Sequence, residues 1–588
     1  MDITYIQDLF RYAYLANTDS REKGNIAYKY YNNEHFTSEQ LEALELKGQP
    51  SETFNVIKKY SRLLLGYYSK GTNMVSLKPT QESDSTIVGL LSDTLSYINY
   101  TNSFSEKSDS VKLDCFLAGL MVFHNEVVED KDIRGNSIVD KYGRKQNKII
   151  KRHILANKVV LDPLSSETDY SDARFIHTFK WVAKDVLKEK YPKADMNKLD
   201  SSNSLGVVED TDSLSIYSGD NSNDFSSMVL VIHTILLGAE TKSIVWSGDS
   251  ILEENTLEYS EVKNPYVVVK LSEVGKTNYI GIFADVLEAQ NSINQALLQI
   301  QQLVNSDKTL VQDDSIESLS DFTDSYSKMN SVTLVRNIAG IKILNFTSEI
   351  TTKLMIIEKS LDRVQELLGI NDSFLGMAYA SDSGAKVNIQ KQASVMSLRY
   401  INTKLELFYK NDSLTTLRLI KQFFRANQVL RVSDEIVGDR YIEINKPMTY
   451  PDGSVAYMEH IDPKTGNLQK DKAGAVILTP LNDPTTDLSF TDADIIIENS
   501  EYSDSNAEAK EILDSIANSP AGQMLAQVNP KGYMEMSSLA IKQTKFKYSQ
   551  QIAQIFATTA EMLTPQPQNQ TEMGGGSVAI PANSQPKG

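Results

Sequence analysis

The chain has 588 residues, one cysteine, 77 acidic against 59 basic residues, and a formal net charge of −18. This length exceeds what one hydrophobic core organises and implies several subdomains. The acidic balance excludes a protein that grips nucleic acid over its whole surface, and the lone Cys115 excludes an intrachain disulfide and a cysteine-rich zinc site. The start, MDITYIQDLF, lacks a basic segment followed by an apolar one, so no signal peptide is expected. No run approaches the ~20 apolar residues of a membrane helix, and a cytosol-like compartment is expected.

The first part reads as helical. Residues 38–47 and 52–67 carry apolar side chains at three- and four-residue spacing, as in Phe54, Ile57, Tyr60 and Leu64. Further helices are expected over 85–100 and 109–120. The period then changes: 119–128, 148–161 and 228–237 are rich in Val, Ile and Leu and read as strands, with Lys141-Tyr142-Gly143-Arg144 as a hairpin tip. The pattern over Asp172–Tyr191 predicts an amphipathic helix closed by Pro192. Residues 199–227, dense in Ser, Asp and Asn, predict a long surface loop, and strands are expected over 243–247, 257–262, 265–271 and 278–284.

The middle of the chain is the most informative. From Asp285 to Asn305 the apolar positions Val286, Ala289, Ile293, Leu297, Ile300 and Val304 form a stripe at helical spacing. A second helix over 349–368 carries Ile350, Leu354, Ile357, Leu361, Val364 and Leu368 in alternating steps of four and three, the mark of lengthwise packing. At about 1.5 Å per residue each rod is about 30 Å long. Between them lies an insert, 306–347, with strand-like runs Thr309–Val311, Val332–Val335 and Ile341–Phe346. A Gly-containing loop over 369–388 leads into a long helix over about 386–426. Residues 428–500 read as short strands and turns, including Pro451-Asp452-Gly453 and Pro463-Lys464-Thr465-Gly466. Helices resume over 504–518, 521–526 and 534–562, and the Pro-, Gln- and Gly-rich tail 564–588 is expected to be disordered.

Catalytic motifs fail on inspection. Gly275-Lys276-Thr277 lacks the first glycine of a phosphate loop, because Lys270 stands there. Asp220–Asp224 opens like a calcium loop, but Phe225 occupies the sharp turn that needs glycine, and Val231 the bidentate glutamate position. His35, His124, His153, His177, His233 and His460 have no partner histidine at zinc spacing. His177 reads as a packed or surface residue of the 172–191 helix, Asp492 and Asp494 as a solvent-facing edge, and Cys115 as a buried, inert thiol. No catalytic, metal or cofactor residues are assigned. A basic cluster, Lys141, Arg144, Lys145, Lys148, Lys151, Arg152 and Lys158, is either a partner-facing patch or a solvated hairpin.

The order of these elements resembles the portal proteins of tailed bacteriophages, the short-tailed-phage branch above all. Local phrases carry the resemblance. They are Asp162-Pro163, then Asp172-Ala173-Arg174 and the helix ending at Tyr191-Pro192; Asp285 followed by Gln290 and Asn294 in a QxxxN pattern; Leu368-Gly369-Ile370 before Ser383-Gly384-Ala385; and the strands Tyr441–Asn445 and Asp494–Ile497. The likeness spreads over 20–560. Unlike the larger members, this chain has no long C-terminal helical barrel.

The resemblance implies an α+β portal fold. Its parts would be a wing over 1–280, stem helices over 281–305 and 348–369, a small α/β clip over 306–347 and a tunnel loop over 370–388. The long helix and remaining wing would follow over 389–502, and a helical crown over 503–563. It implies a dodecameric structural protein, not an enzyme, at one capsid vertex of the virion, assembled in the bacterial cytoplasm. Double-stranded DNA would pass through its channel during packaging and ejection. The terminase large subunit, tail adaptor proteins, the major capsid protein and scaffold would be its partners, with no membrane and no cofactor. Channel candidates are Asn371, Asp372, Ser381, Ser383, Gly384 and Lys386. Clip candidates for motor and adaptor docking are Asp313, Lys328, Arg336 and Lys342. Stem packing between subunits would fall to Ile293, Leu297, Ile300, Leu354, Ile357 and Leu361. An acidic channel suits sliding DNA, because strong phosphate binding would stall it. The residues alone leave open another virion component, such as an adaptor or internal scaffold, and a metal-dependent hydrolase built on scattered carboxylates.

Overall fold

The computed structural model describes residues 2–70, 73–79, 85–192, 194, 199, 228–271, 279–304, 309–312, 315–316, 318–326, 335–343, 346–371, 374, 384–434, 438–459, 476, 478–489, 493–499, 513–516, 518–542 and 549–562. The chain divides into two compact units, Met1–Ile497 and Glu498–Gly588. The loop expected over 199–227 lies outside the described residues except for Leu199. So do the triplet 275–277, the acidic run 220–224, the turn 463–466, most of the 504–518 helix and the tail.

In the first unit, Asp2 caps helix Ile3–Ala16 by accepting from the Thr4 N–H, and the helix buries Ile6, Phe10, Ala13 and Tyr14. That face covers a five-stranded antiparallel meander: Val159–Leu161, Phe175–Ala183, Met228–Leu236, Thr241–Ser247 and Ser250–Leu257, adjacent in chain order. The helix expected over 172–191 is therefore mostly a strand, and only Lys184–Lys190 is helical. The aromatic and β-branched run Phe175–Val182 pairs in register with 229–236 and is buried at Phe175, Ile176, His177 and Phe179. His177 sits on that strand, fully buried, with Nδ1 2.8 Å from Thr234 Oγ1 and its ring edge-on to Phe10. Two further strands are corrected. The last strand of the meander ends at Leu257, so 257–262 does not form one. Residues 279–283 turn into a 3-10 helix, Ala284–Val286, at the foot of the first rod.

A three-stranded antiparallel sheet stands beside the meander in the order Asn147–His153, Leu120–Glu129, Tyr266–Lys270. The strand expected over 148–161 is broken at the 3-10 turn Ala156–Lys158, where the chain leaves this sheet for the five-stranded one. Helix Phe104–Leu117 precedes the central strand and stops at Gly119, whose φ is +78°. A Cβ on Gly119 would meet the Ile280 carbonyl at 2.3 Å, so only glycine permits this backbone crossing. The turn at 140–143 is present, with Gly143 at φ +79°.

Behind the three-stranded sheet runs helix Arg399–Phe423, which buries Ile401, Leu405, Phe408 and Tyr409. Two-stranded ribbons follow: Gln428–Asp434 with Gly438–Ile444, and Tyr457–Glu459 with Leu478–Pro480. The Pro451–Gly453 turn closes with the Tyr450 N–H donating to the Ser454 carbonyl. Strand Ala493–Asn499 stands where one was expected.

The second unit holds helices Pro520–Val528, Pro530–Lys542 and Ser549–Met562. The last two pack together, and Ser538 Oγ donates to the Ala553 carbonyl at 2.8 Å. The single helix expected over 534–562 is thus two.

Candidate functional site: the rod pair and its anchors

Both rods form where the apolar stripes place them, as Leu287–Val304 and Thr347–Leu368. They pack side by side, and the strand that follows the first rod pairs with the strand that precedes the second, so the pair is antiparallel. At the far end a short antiparallel ladder joins Thr309–Val311 to Ile341–Ile343.

The QxxxN pattern has a physical role at the foot. Gln290 Oε1 accepts from the Val56 N–H at 2.8 Å. Its Nε2 donates to the Phe54 carbonyl at 2.8 Å and to Asn294 Oδ1 at 2.9 Å. Asn294 Nδ2 in turn donates to His35 Nδ1 at 3.2 Å. Gln290 and Asn294 are buried, so these bonds satisfy amide groups that would otherwise be stranded. They fasten the first rod to the N-terminal helical region.

Burial fades along the rods. Near the foot Ile293, Val364 and Leu368 are at most 6% exposed. Leu297, Ile300, Ile357 and Leu361 are half-buried, whereas Leu354, Met355, Ile356 and Val304 stand exposed. Ile293 spends its whole surface inside the chain, so it has none to offer a neighbour. Met355, Ile356 and Val304, absent from the packing candidates, are further apolar side chains left uncovered, and Leu354, Met355 and Ile356, being consecutive, point to different sides of the second rod.

After the second rod, Gly369 takes φ +66° as its C-cap. Asn371 then ties the end of the second rod to residues 390–394. Its N–H donates to Ser394 Oγ at 3.2 Å, its Nδ2 to the Gln390 carbonyl at 2.6 Å, and its Oδ1 accepts from the Phe374 N–H. Ser397 Oγ donates to the Gly369 carbonyl at 2.9 Å. The long helix expected over 386–426 is two helices, Gly384–Ser397 and Arg399–Phe423, with a break at Leu398. Tyr68 OH donates to the Leu398 carbonyl at 2.9 Å. Gly384 opens the first of these helices and Lys386 lies in it, while Asp372, Ser381 and Ser383 are outside the described residues.

The insert between the rods contains helix Leu319–Tyr326, which the sequence reading missed. Arg336 and Lys342 are exposed, Lys342 opposite Leu310 on the ladder. Asp313, Lys328 and the run 332–334 are outside the described residues.

The basic cluster is largely neutralised by acids from elsewhere. Arg144 pairs with Asp140, Lys145 with Glu129, Lys148 with Asp130 and Arg152 with Glu126. Lys151 is fully buried with its Nζ 2.5 Å from Asp412 Oδ2. The cluster is one side of a salt-bridged sheet. Cys115 is buried, and burial pushes its thiol well above the usual range. Among the described residues no group of three or more His, Cys, Asp or Glu side chains could hold a metal ion, and no helix is long and apolar enough to cross a membrane.

A rod pair anchored at one end and carrying a small insert at the other is the layout of a structural connector. The family model for phage P22-like portal proteins matches residues 7–234 and 237–587, and the chain belongs to that family. It is thus a structural protein of the bacteriophage virion, a head–tail connector component. Among curated proteins it is similar to the portal protein of Helicobacter pylori bacteriophage KHP30, with 26% identity over 468 residues, covering 76% of this chain and 70% of the relative.

Proposed function

We propose that this chain assembles into a closed ring of about twelve copies at a single capsid vertex, and that the ring is the channel for genome packaging and ejection. The observation that carries this reading is the gradient of burial along the rods. The foot of the first rod is locked by Gln290 and Asn294 and that of the second is buried at Val364 and Leu368, while Leu354, Met355, Ile356 and Val304 remain uncovered in a single chain. Apolar side chains left uncovered on more than one side of a rigid helix pair need partner helices, and the neighbouring copies supply them. In this reading residues 281–305 and 348–369 are the stem, 306–347 the clip, 370–388 the tunnel loop and 503–563 the crown.

The clip, with Arg336 and Lys342 on its surface, docks the terminase large subunit during packaging and tail adaptors afterwards. The wing meets the major capsid protein, and scaffold guides assembly in the host cytoplasm. Asn371 and Lys386 flank the segment that approaches DNA. The chain performs no catalysis of its own; the motor hydrolyses ATP. The acidic balance of −18 keeps duplex DNA mobile in the channel.

Leu354→Asp tests the stem. It places a charge at an uncovered apolar position without disturbing the anchored foot. Native mass spectrometry should show the ring replaced by folded monomers. A variant that still forms the parent oligomer would refute the stem assignment.

A further inference from the structure

We propose that the cleft between the two sheets of the first unit is a binding site for a small phosphate-bearing anion. The cleft has a volume of about 570 Å³, within the range of about 300–1,000 Å³ typical of small-molecule sites. Four cations line it, Arg152, Lys158, Lys180 and Lys190, against two carboxylates, Glu126 and Glu253. This is a local excess of positive charge on a chain whose net charge is −18.

Both carboxylates are already engaged. Glu126 holds Arg152 at 2.9 Å. Glu253 accepts from Tyr191 OH at 2.9 Å and from Asn255 Nδ2 at 2.6 Å. Lys180 has no carboxylate within ion-pair distance among the described residues. Burial, then the like charges of Lys190 and Arg152, depress its pKa. An anion between these side chains would relieve that repulsion.

The floor is polar and tied together. Tyr266 OH lies 2.9 Å from His233 Nδ1 and 3.1 Å from Thr178 Oγ1. His233 Nε2 lies 2.8 Å from Ser243 Oγ. His124 stacks on the Tyr266 ring, with centroids 4.4 Å apart. Burial drops His124 to about 3 and His233 to about 4, so the floor is uncharged at neutral pH and places polar hydroxyls and rings, rather than a counter-ion, beneath the cations. On the wall, buried Asp114 holds His153 Nε2 at 2.8 Å and so fixes that ring. Charged donors at the mouth over a neutral, polar floor suit phosphate oxygens. A recess of this volume admits a free polyphosphate or nucleotide, whereas duplex DNA could offer phosphates only to the mouth.

The test is isothermal titration of the full-length protein with tripolyphosphate and, separately, with a short DNA duplex at low salt. Tripolyphosphate should bind once per subunit. Lys180→Glu should weaken it about tenfold or more, the loss expected for a charge-assisted contact. Lys148→Glu, which breaks a pair with Asp130 away from the cleft, should leave binding unchanged. Circular dichroism establishes that each variant folds, and Lys190→Glu replaces Lys180→Glu should the latter not fold. Absence of tripolyphosphate binding at millimolar concentration would overturn the proposal. So would equal weakening by Lys148→Glu, or duplex binding as tight as tripolyphosphate and lost in the same variants. The outcome is independent of ring formation, which native mass spectrometry reads on the same samples.

Discussion

Replacing Asp412 with alanine should be among the most damaging single changes in the chain. Lys151 and Asp412 are 0% and 1% exposed, and Nζ lies 2.5 Å from Oδ2. Asn125 Nδ2 donates to the other carboxylate oxygen at 2.9 Å, and the Lys151 ammonium also sits 5.0 Å from the centre of the Phe104 ring. The pair joins a strand of the three-stranded sheet to the middle of helix Arg399–Phe423. Asp412→Ala leaves a buried cation without its counter-charge, which costs about 3–5 kcal/mol in comparable sites. Removing both charges with Lys151→Met and Asp412→Leu avoids that penalty and should return most of the loss, because buried pairs are often worth no more than well-packed apolar groups. Urea denaturation followed by tryptophan fluorescence gives the comparison. Trp246, buried in the five-stranded sheet, is one reporter. A loss below about 1 kcal/mol for Asp412→Ala, or a double variant as unstable as the single one, would refute the reasoning.

Other consequences can be measured directly. Gly119→Ala forces a Cβ to within 2.3 Å of the Ile280 carbonyl at positive φ; it should lower stability by more than about 1 kcal/mol, and an unchanged melting temperature would contradict the close approach. Asn371→Ala should raise hydrogen exchange in 384–397 but leave 399–423 protected, because Asn371 is bonded to Gln390 and Ser394 whereas the second helix is held at Asp412 by Lys151 and at Tyr409 by Ser108; unchanged exchange in 384–397 would remove the clamp. Burial depresses His124 and His177 to about 3 and His233 to about 4, from the ordinary imidazole value near 6.5. The unfolded chain therefore binds more protons below that value, so their contribution is complete above pH 6.5 and is lost as pH falls towards about 4. Each contributes a slope of about 1.4 kcal/mol per pH unit in that window, and equal denaturation midpoints at pH 7 and pH 5 would contradict it.

The rods were legible because each carries one apolar stripe over five turns, and nothing but helical spacing accounts for Ile293, Leu297 and Ile300 or for Leu354, Ile357 and Leu361. The stretch 172–191 misled for the opposite reason. Phe175, Phe179 and Val182 satisfy helical spacing, while Ile176 and His177 are buried as well, a pattern that belongs to a strand covered on both faces. The shift from aromatic and β-branched residues to Lys184–Lys190 was the available signal of the strand's end. The basic cluster could not be interpreted locally. Only Asp140, the partner of Arg144, is close in sequence; the other neutralising acids stand on or just past the neighbouring strand at Glu126, Glu129 and Asp130, and on Asp412 in a helix far along the chain. Strand register and tertiary packing, not spacing, bring them together. Gln290 and Asn294 were picked out as a pattern, but Gln290 bonds the backbone at Phe54 and Val56, which has no side-chain signature, and Asn294 bonds His35, far off in sequence.

The central claim is most directly tested by electron microscopy of the purified full-length protein at high concentration. Rings with rotational symmetry near twelve and a channel slightly wider than duplex DNA are the predicted result, with the rod pairs lining the waist. A compact closed oligomer with no central hole would contradict it.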